Sequence, residues 1–268
     1  MTDAAGPGAS QTVDDLLRWF DAAGEDLPWR RTRDRYAVLV AETQLQATPV
    51  ARVIPHYLRW MERCPTARDL AGADIGDVLA EWHGLGYPLR ARRLHEAARR
   101  IASEGWPADG ALTDLPGVGR YTADAIRCFA DEADVIPRDV NVERVMARRF
   151  PGGWPGTPPG VGWQVGQALM DLGRLFCTAR APRCEAGCPL RAGCPAAEAG
   201  TVAEATPARR RQARFEGSMR QRRGVLMGRL AADGRTAFDD DRDAAESLVR
   251  DGLAARRDGW LVRAGAGG

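Results

Sequence analysis

Two acidic residues and one group of cysteines carry most of the chemistry this sequence could perform. Glu42 sits in Val38-Leu39-Val40-Ala41-Glu42-Thr43-Gln44-Leu45, with apolar residues one turn before and one turn after it. That spacing puts its carboxyl on the apolar face of a helix. A carboxyl taken out of water resists ionisation, which suits a general acid near neutral pH. A water-facing glutamate on an ordinary helix is the plain alternative. Asp139 lies in Pro137-Arg138-Asp139-Val140-Asn141-Val142, just before a helical stretch, where an aspartate commonly caps a helix. Cys177, Cys184, Cys188 and Cys194 form a C-x6-C-x3-C-x5-C pattern with no histidine near it. Four thiolates can hold a structural zinc. The wide, uneven spacing suits a cubane cluster wrapped in loop better than two C-x-x-C knuckles.

Composition removes one reaction class outright. All 38 basic residues are arginine and the chain has no lysine. Without an ε-amine no Schiff base forms, so lysine-based lyase chemistry is excluded. A net charge of +2 permits a nucleic-acid partner without demanding one. The chain of 268 residues, 44% apolar, has no run approaching membrane-spanning length. Its first residues lack the basic and apolar regions of a signal peptide, so a cytoplasmic protein with a flexible tail over 1–11 is expected. Cys64 and Cys128 stand alone in apolar helical surroundings, as inert core thiols do.

The elements that must position these residues are helices. Apolar periodicity predicts helices over 13–23, 36–48 and 50–63, short helical pieces at 66–70 and 75–82, and an arginine-rich helix over 89–104. Leu115-Pro116-Gly117-Val118-Gly119-Arg120 then makes a tight turn whose amides can approach an anion. A helix opens after Arg120, its positive end facing the same place. Further helices are expected over 142–150 and 164–176. Period-two alternation is missing until the C-terminus, so the first 200 residues are all-α. After a linker over 201–218, helices at 222–232 and 242–251 precede a hairpin turning at Asp258-Gly259. Together they make a small winged-helix-like α+β module over 219–268.

The hairpin string Leu115 to Ile126 resembles the helix-hairpin-helix of DNA glycosylases related to endonuclease III. Trp29-Arg30, Ala41-Glu42-Thr43-Gln44-Leu45-Gln46-Ala47-Thr48 and Gly84-Leu85-Gly86-Tyr87 resemble the MutY-type adenine glycosylase branch in order and spacing. The cysteines resemble that family's C-x6-C-x2-C-x5-C 4Fe–4S motif, with one extra residue between Cys184 and Cys188. The likeness runs from about Asp26 to Pro195.

The resemblance implies a helix-hairpin-helix glycosylase fold with a cysteine-ligated iron–sulfur loop. A cluster domain would be built from 12–27 and 129–200, and a six-helix domain from 28–128. It implies excision of adenine mispaired with guanine or 8-oxoguanine from double-stranded DNA, by a monomer at the bacterial nucleoid. Glu42 would protonate the base and Asp139 stabilise the sugar cation, with Tyr121 and Asn141 beside that sugar. Gly117, Val118, Gly119 and Arg120 would hold a phosphate. Gln46 and Tyr87 would enter the duplex at the target pair, while Ala47 and Pro88 depart from the family's usual Gln and Tyr. Arg180, Arg183 and Arg191 could meet phosphates. Relatives with lyase activity carry lysine at position 121; tyrosine there implies water as the final acceptor. A thymine or uracil mismatch glycosylase on the same scaffold is the nearest alternative, and a non-catalytic iron–sulfur DNA-binding protein another.

Overall fold

A computed structural model describes residues 7–202 and 214–265. The expected tail and linker fall partly outside that set, at 1–6 and 203–213. Twelve helices appear among the described residues: α1 (Pro7–Ala23), α2 (Arg35–Leu45), α3 (Val50–Arg63), α4 (Ala67–Gly72), α5 (Ile75–Glu81), α6 (Leu89–Glu104), α7 (Arg120–Phe129), α8 (Val140–Arg149), α9 (Gly162–Leu175), α10 (Pro195–Glu198), α11 (Met219–Asp233) and α12 (Arg242–Arg250). Three strands, β1 (Arg235–Ala237), β2 (Ala254–Arg257) and β3 (Trp260–Arg263), lie near the C-terminus. The chain divides into two units, one from the described parts of Met1–Arg35 and Arg120–Arg210, the other from Tyr36–Gly119 and Arg211–Gly268.

In the first unit, α1, α8 and α9 bury Leu16, Phe20, Val142, Val145, Val165, Leu169 and Leu172 against one another. Helix α1 begins at Pro7 rather than at Val13, since a proline suits the first helical position, where its missing N–H has no partner to lose. Beneath this core lies a buried ion pair, Arg30 and Asp171, at 2.8 Å with side chains 7% and 3% exposed. Arg30 also donates to Gln167 Oε1 at 2.7 Å and to the Glu25 carbonyl at 2.8 Å, so all three of its nitrogens have protein partners. Helices α8 and α9 touch at Gly173: a Cβ there would stand 2.7 Å from Asn141 Cβ and 2.9 Å from its carbonyl oxygen.

The second unit is built around α2, buried along its length from Tyr36 to Gln44. Tyr36 donates to the Cys64 carbonyl at 2.9 Å and accepts from Trp60 at 3.2 Å; Trp60 in turn packs edge-on against Trp82. A Thr66–Asp69 capping box opens α4 and Asp74 caps α5, as their turn residues suggest. Pro55 lies inside α3 and does not delay its start at Val50. The C-terminal module has the expected two helices and hairpin, with both turn residues at positive φ, Asp258 at +46° and Gly259 at +81°. Strand β1, too short to show alternation, was not legible in the sequence. It pairs with β3 to give a three-stranded antiparallel sheet in the order β1-β3-β2.

Candidate active site and cysteine loop

Glu42 is 5% exposed, which decides between its two readings: it is a buried carboxyl on α2, not a solvated one. The helix ends at Leu45, three residues short of the expected stop at Thr48. The residue before Pro49 is biased away from helical backbone, and Ala47 turns left-handed at φ +56°. Gln46 therefore sits half-buried in a turn rather than on the helix. Within the same unit, Tyr87 is 40% exposed, also left-handed at φ +48°, and its hydroxyl is 3.2 Å from an Arg220 guanidinium nitrogen.

The glycine turn is closed by the Val118 N–H donating to the Leu115 carbonyl at 3.1 Å. Its two glycines stand in different surroundings. Gly117 takes φ +80°, and a Cβ on it would stand 2.9 Å from Arg93 Cβ on α6. A Cβ on Gly119 would meet nothing within 4 Å, so its outer face is open to an incoming group. Val118 is buried while Arg120 is exposed at the first turn of α7.

Asp139 caps α8. Its Oδ1 accepts from the N–H groups of Asn141 and Val142, both at 2.8 Å, and its Oδ2 from the Asn141 side-chain amide at 2.8 Å. All three partners are donors, the arrangement an ionised carboxylate takes. Asn141 lies within the helix rather than before it, and its Oδ1 accepts from Arg144 at 2.8 Å. Arg144 is 7% exposed and also donates to the carbonyls of Gly173 at 2.7 Å, Val140 at 3.1 Å and Cys177. Burial draws its guanidinium below the usual arginine range. A chain of contacts thus runs from Asp139 through Asn141 and Arg144 to the first of the four cysteines. Nothing in the sequence marks Arg144 among so many arginines. Tyr121 is half-buried on α7.

Cys177, Cys184, Cys188 and Cys194 are all half-buried and line one cavity with Val145, Leu172 and Leu190. The extra residue between Cys184 and Cys188 is absorbed by a short 3-10 turn over Cys184–Ala186, closed by Gly187 at φ +96°. Arg148, buried, donates to Cys177 Sγ at 3.4 Å, and the Cys194 thiol lies 3.6 Å from the Arg148 carbonyl. Burial pushes the Cys188 thiol up to about 11, and the other three sulfurs add to this while the Leu190 N–H opposes it. Burial raises Cys184 too, with Cys177 and Cys194 adding. Sulfurs that oppose one another's ionisation need a cationic centre between them to become thiolates together. Among the described residues no three His, Cys, Asp or Glu come together tightly enough for a single ion. Arg191 pairs with Glu185 at 2.7 Å, while Arg180 and Arg183 are exposed. Of the remaining thiols, Cys128 is buried as expected, and Cys64 is half-buried at the end of α3 rather than in a core.

Residues 40–156 match the family described as HhH-GPD superfamily base excision DNA repair protein. The chain is 41% identical to an adenine DNA glycosylase of Mycolicibacterium smegmatis, over 94% of this chain and 96% of that one. It is 39% identical to the adenine DNA glycosylase of Homo sapiens over 68% of this chain and 38% of that one. Among solved structures, a thermostable thymine-DNA glycosylase superposes with TM-score 0.66 at 27% identity, covering 74% of this chain and all of its own. Endonuclease III in a trapped covalent complex with DNA superposes with TM-score 0.61 at 22% identity, covering 74% of this chain and 99% of its own, a likeness of fold. The described residues contain no helix long and apolar enough to cross a membrane. Near-complete coverage of a relative at this identity, together with the helix-hairpin-helix match, makes the chain a member of the adenine DNA glycosylase family.

Proposed function

We propose that this chain is a monofunctional adenine DNA glycosylase of base excision repair, acting as a monomer on double-stranded DNA in the bacterial cytoplasm. Its substrate is adenine paired with guanine or 8-oxoguanine. One observation carries the reading: two carboxyl groups stand in opposed surroundings, Glu42 buried mid-helix and Asp139 held by three N–H donors at a helix N-terminus. Cleavage of an N-glycosidic bond uses one neutral acid and one anion, as in glycoside hydrolysis.

In this mechanism the amides of Val118, Gly119 and Arg120 hold a phosphate, fixing register without reading sequence. Gln46 and Tyr87 enter the duplex and adenine leaves the stack. Glu42 gives its proton to the adenine ring, and the bond between the base and C1′ breaks with its electrons passing to the base. The negative charge of Asp139 stabilises the resulting oxocarbenium-like sugar, with Asn141 orienting that carboxylate and Tyr121 beside it. Water adds at C1′ and yields its proton to Glu42, restoring the acid. With tyrosine at position 121 and no lysine in the chain, water is the final acceptor and strand cleavage does not follow.

Cys177, Cys184, Cys188 and Cys194 would hold a 4Fe–4S cluster, whose role when bound is to fix the loop that carries Arg180 and Arg183 toward phosphate. Excision assays on A:G, A:8-oxoguanine, T:G and U:G duplexes test the reading. Release of adenine from the first two and no release from the others is expected. Thymine or uracil release would move the enzyme to the neighbouring branch, and no release from any duplex would leave a DNA-binding protein.

A further inference from the structure

Arg90, near the start of α6, is a half-buried cation with no carboxylate partner among the described residues. One of its terminal nitrogens donates to the Thr43 carbonyl at 2.6 Å and the Gln44 carbonyl at 3.3 Å, among the last orphan acceptors of α2. The other donates to the carbonyls of Leu85 at 2.9 Å and Gly86 at 3.0 Å and reaches Thr48 Oγ1 at 3.4 Å. Its guanidinium carbon lies 5.2 Å from the Trp82 ring centre and 5.6 Å from that of Tyr87. Burial draws it down to about 10, with Tyr87 acting the other way, so it remains charged at neutral pH. What neutralises it is a ring of carbonyl dipoles, the negative end of α2 and two aromatic faces.

Those carbonyls belong to two separate chain segments, each leading into a strained residue. Gln44 precedes the turn in which Ala47 is left-handed, and the Gly86 carbonyl is part of the peptide that enters left-handed Tyr87. A non-glycine residue in that region costs about 1–3 kcal/mol and persists only where its surroundings over-determine it. One further contact ties the same pair of segments: the Thr48 hydroxyl donates to the Leu85 carbonyl at 3.1 Å. Within the second segment, Trp82 Nε1 donates to the Gly86 carbonyl at 2.9 Å.

We propose that Arg90 is a positioning residue that locks the Gln46–Thr48 turn to the Tyr87 loop, so that both enter the DNA as one rigid wedge. The inference rests on the proposed role of Gln46 and Tyr87. Arg90 itself touches no reacting atom; it sets the separation of two loops that would otherwise relax independently. Its loss therefore slows extrusion of a paired adenine and spares the chemical step.

The test compares single-turnover release of adenine from two duplexes, one with A opposite G and one with A opposite an abasic-site analogue, where little is left to unpair. Arg90→Met is expected to slow release from A:G by about 30-fold, the scale of one lost hydrogen bond to a charged group, and to stay within about 3-fold of the parent on the second duplex. The fluorescence rise of 2-aminopurine on extrusion falls in parallel. Equal slowing on both duplexes, or unchanged rates, overturns the proposal. Should Arg90→Met fail to melt cooperatively, Thr48→Val removes the smaller tie between the same loops and slows release from A:G roughly 5-fold more than release from the second duplex; equal slowing on the two duplexes is equally fatal. A parent enzyme inactive on both duplexes would refute the glycosylase reading instead.

Discussion

The side-chain amide of Asn141 donates to Asp139 Oδ2 at 2.8 Å, and it faces that way because its own oxygen is taken by Arg144. The carboxylate is thus aimed by a neighbour that is itself aimed. The backbone donors at Asn141 and Val142 would cap the helix without this arrangement. The side-chain contacts through Asn141 and Arg144 go beyond what an ordinary cap needs.

Replacing Asp139 by Asn leaves an equally good cap, so the fold survives. The charge is lost. Base release in a single-turnover assay is expected to fall by about 10²–10³-fold or more, while mismatched DNA is still bound in a gel-shift titration. Undiminished release would remove Asp139 from the mechanism.

Glu42→Gln keeps the shape of the side chain and withdraws its transferable proton. Excision should drop by about 10²–10⁴-fold across the whole pH range. A variant that stays fast and merely moves its pH optimum would show that Glu42 is not the acid.

Arg144→Lys keeps a charge but cannot span the Asn141 oxygen and the carbonyls of Gly173, Val140 and Cys177 at once. Excision is expected to fall about tenfold with DNA affinity little changed, the pattern of a misaimed carboxylate. A weakened affinity with a normal rate would place its role at the DNA surface.

Stability should decline on mild acidification. Burial lowers His95 and His56 below the ordinary histidine value, so between that value and the folded one the unfolded chain binds more protons. Their contribution is complete above about pH 6.5 and is lost as pH falls below it. Thermal melts from pH 7.5 to 5 should show the melting temperature dropping, and His95→Gln should flatten that drop. A flat profile in the parent would show that neither histidine is held neutral.

Helix α6, the hairpin turn and the C-terminal hairpin were legible because each announces itself locally, through periodicity, paired glycines or an Asp-Gly turn. Glu42 and Asp139 stood out as candidates through the order and spacing of the motifs around them, and the cysteines through their clustering; packing alone shows Glu42 buried and Asp139 capping α8. The arginines did not stand out. Arg30, Arg90, Arg144 and Arg148 do buried structural work, yet in a chain whose every basic residue is arginine no local pattern separates them from solvated ones. Only packing does so. The early end of α2 escaped for a similar reason: apolar spacing continues to Thr48, and the left-handed turn at Ala47 is fixed by contacts with a loop some forty residues away.

Gly173 touches no DNA group in the proposed mechanism and holds no ligand, yet it admits no side chain where α9 crosses Asn141. Even a methyl group there presses on backbone and on the residue that aims Asp139, at about 1–3 kcal/mol for the overpacking alone. Genetic variation at this position would then be read wrongly by anyone who ranks harm by distance from the lesion. A change so far from the lesion would reach the chemistry through Asn141, by way of the carboxylate it orients.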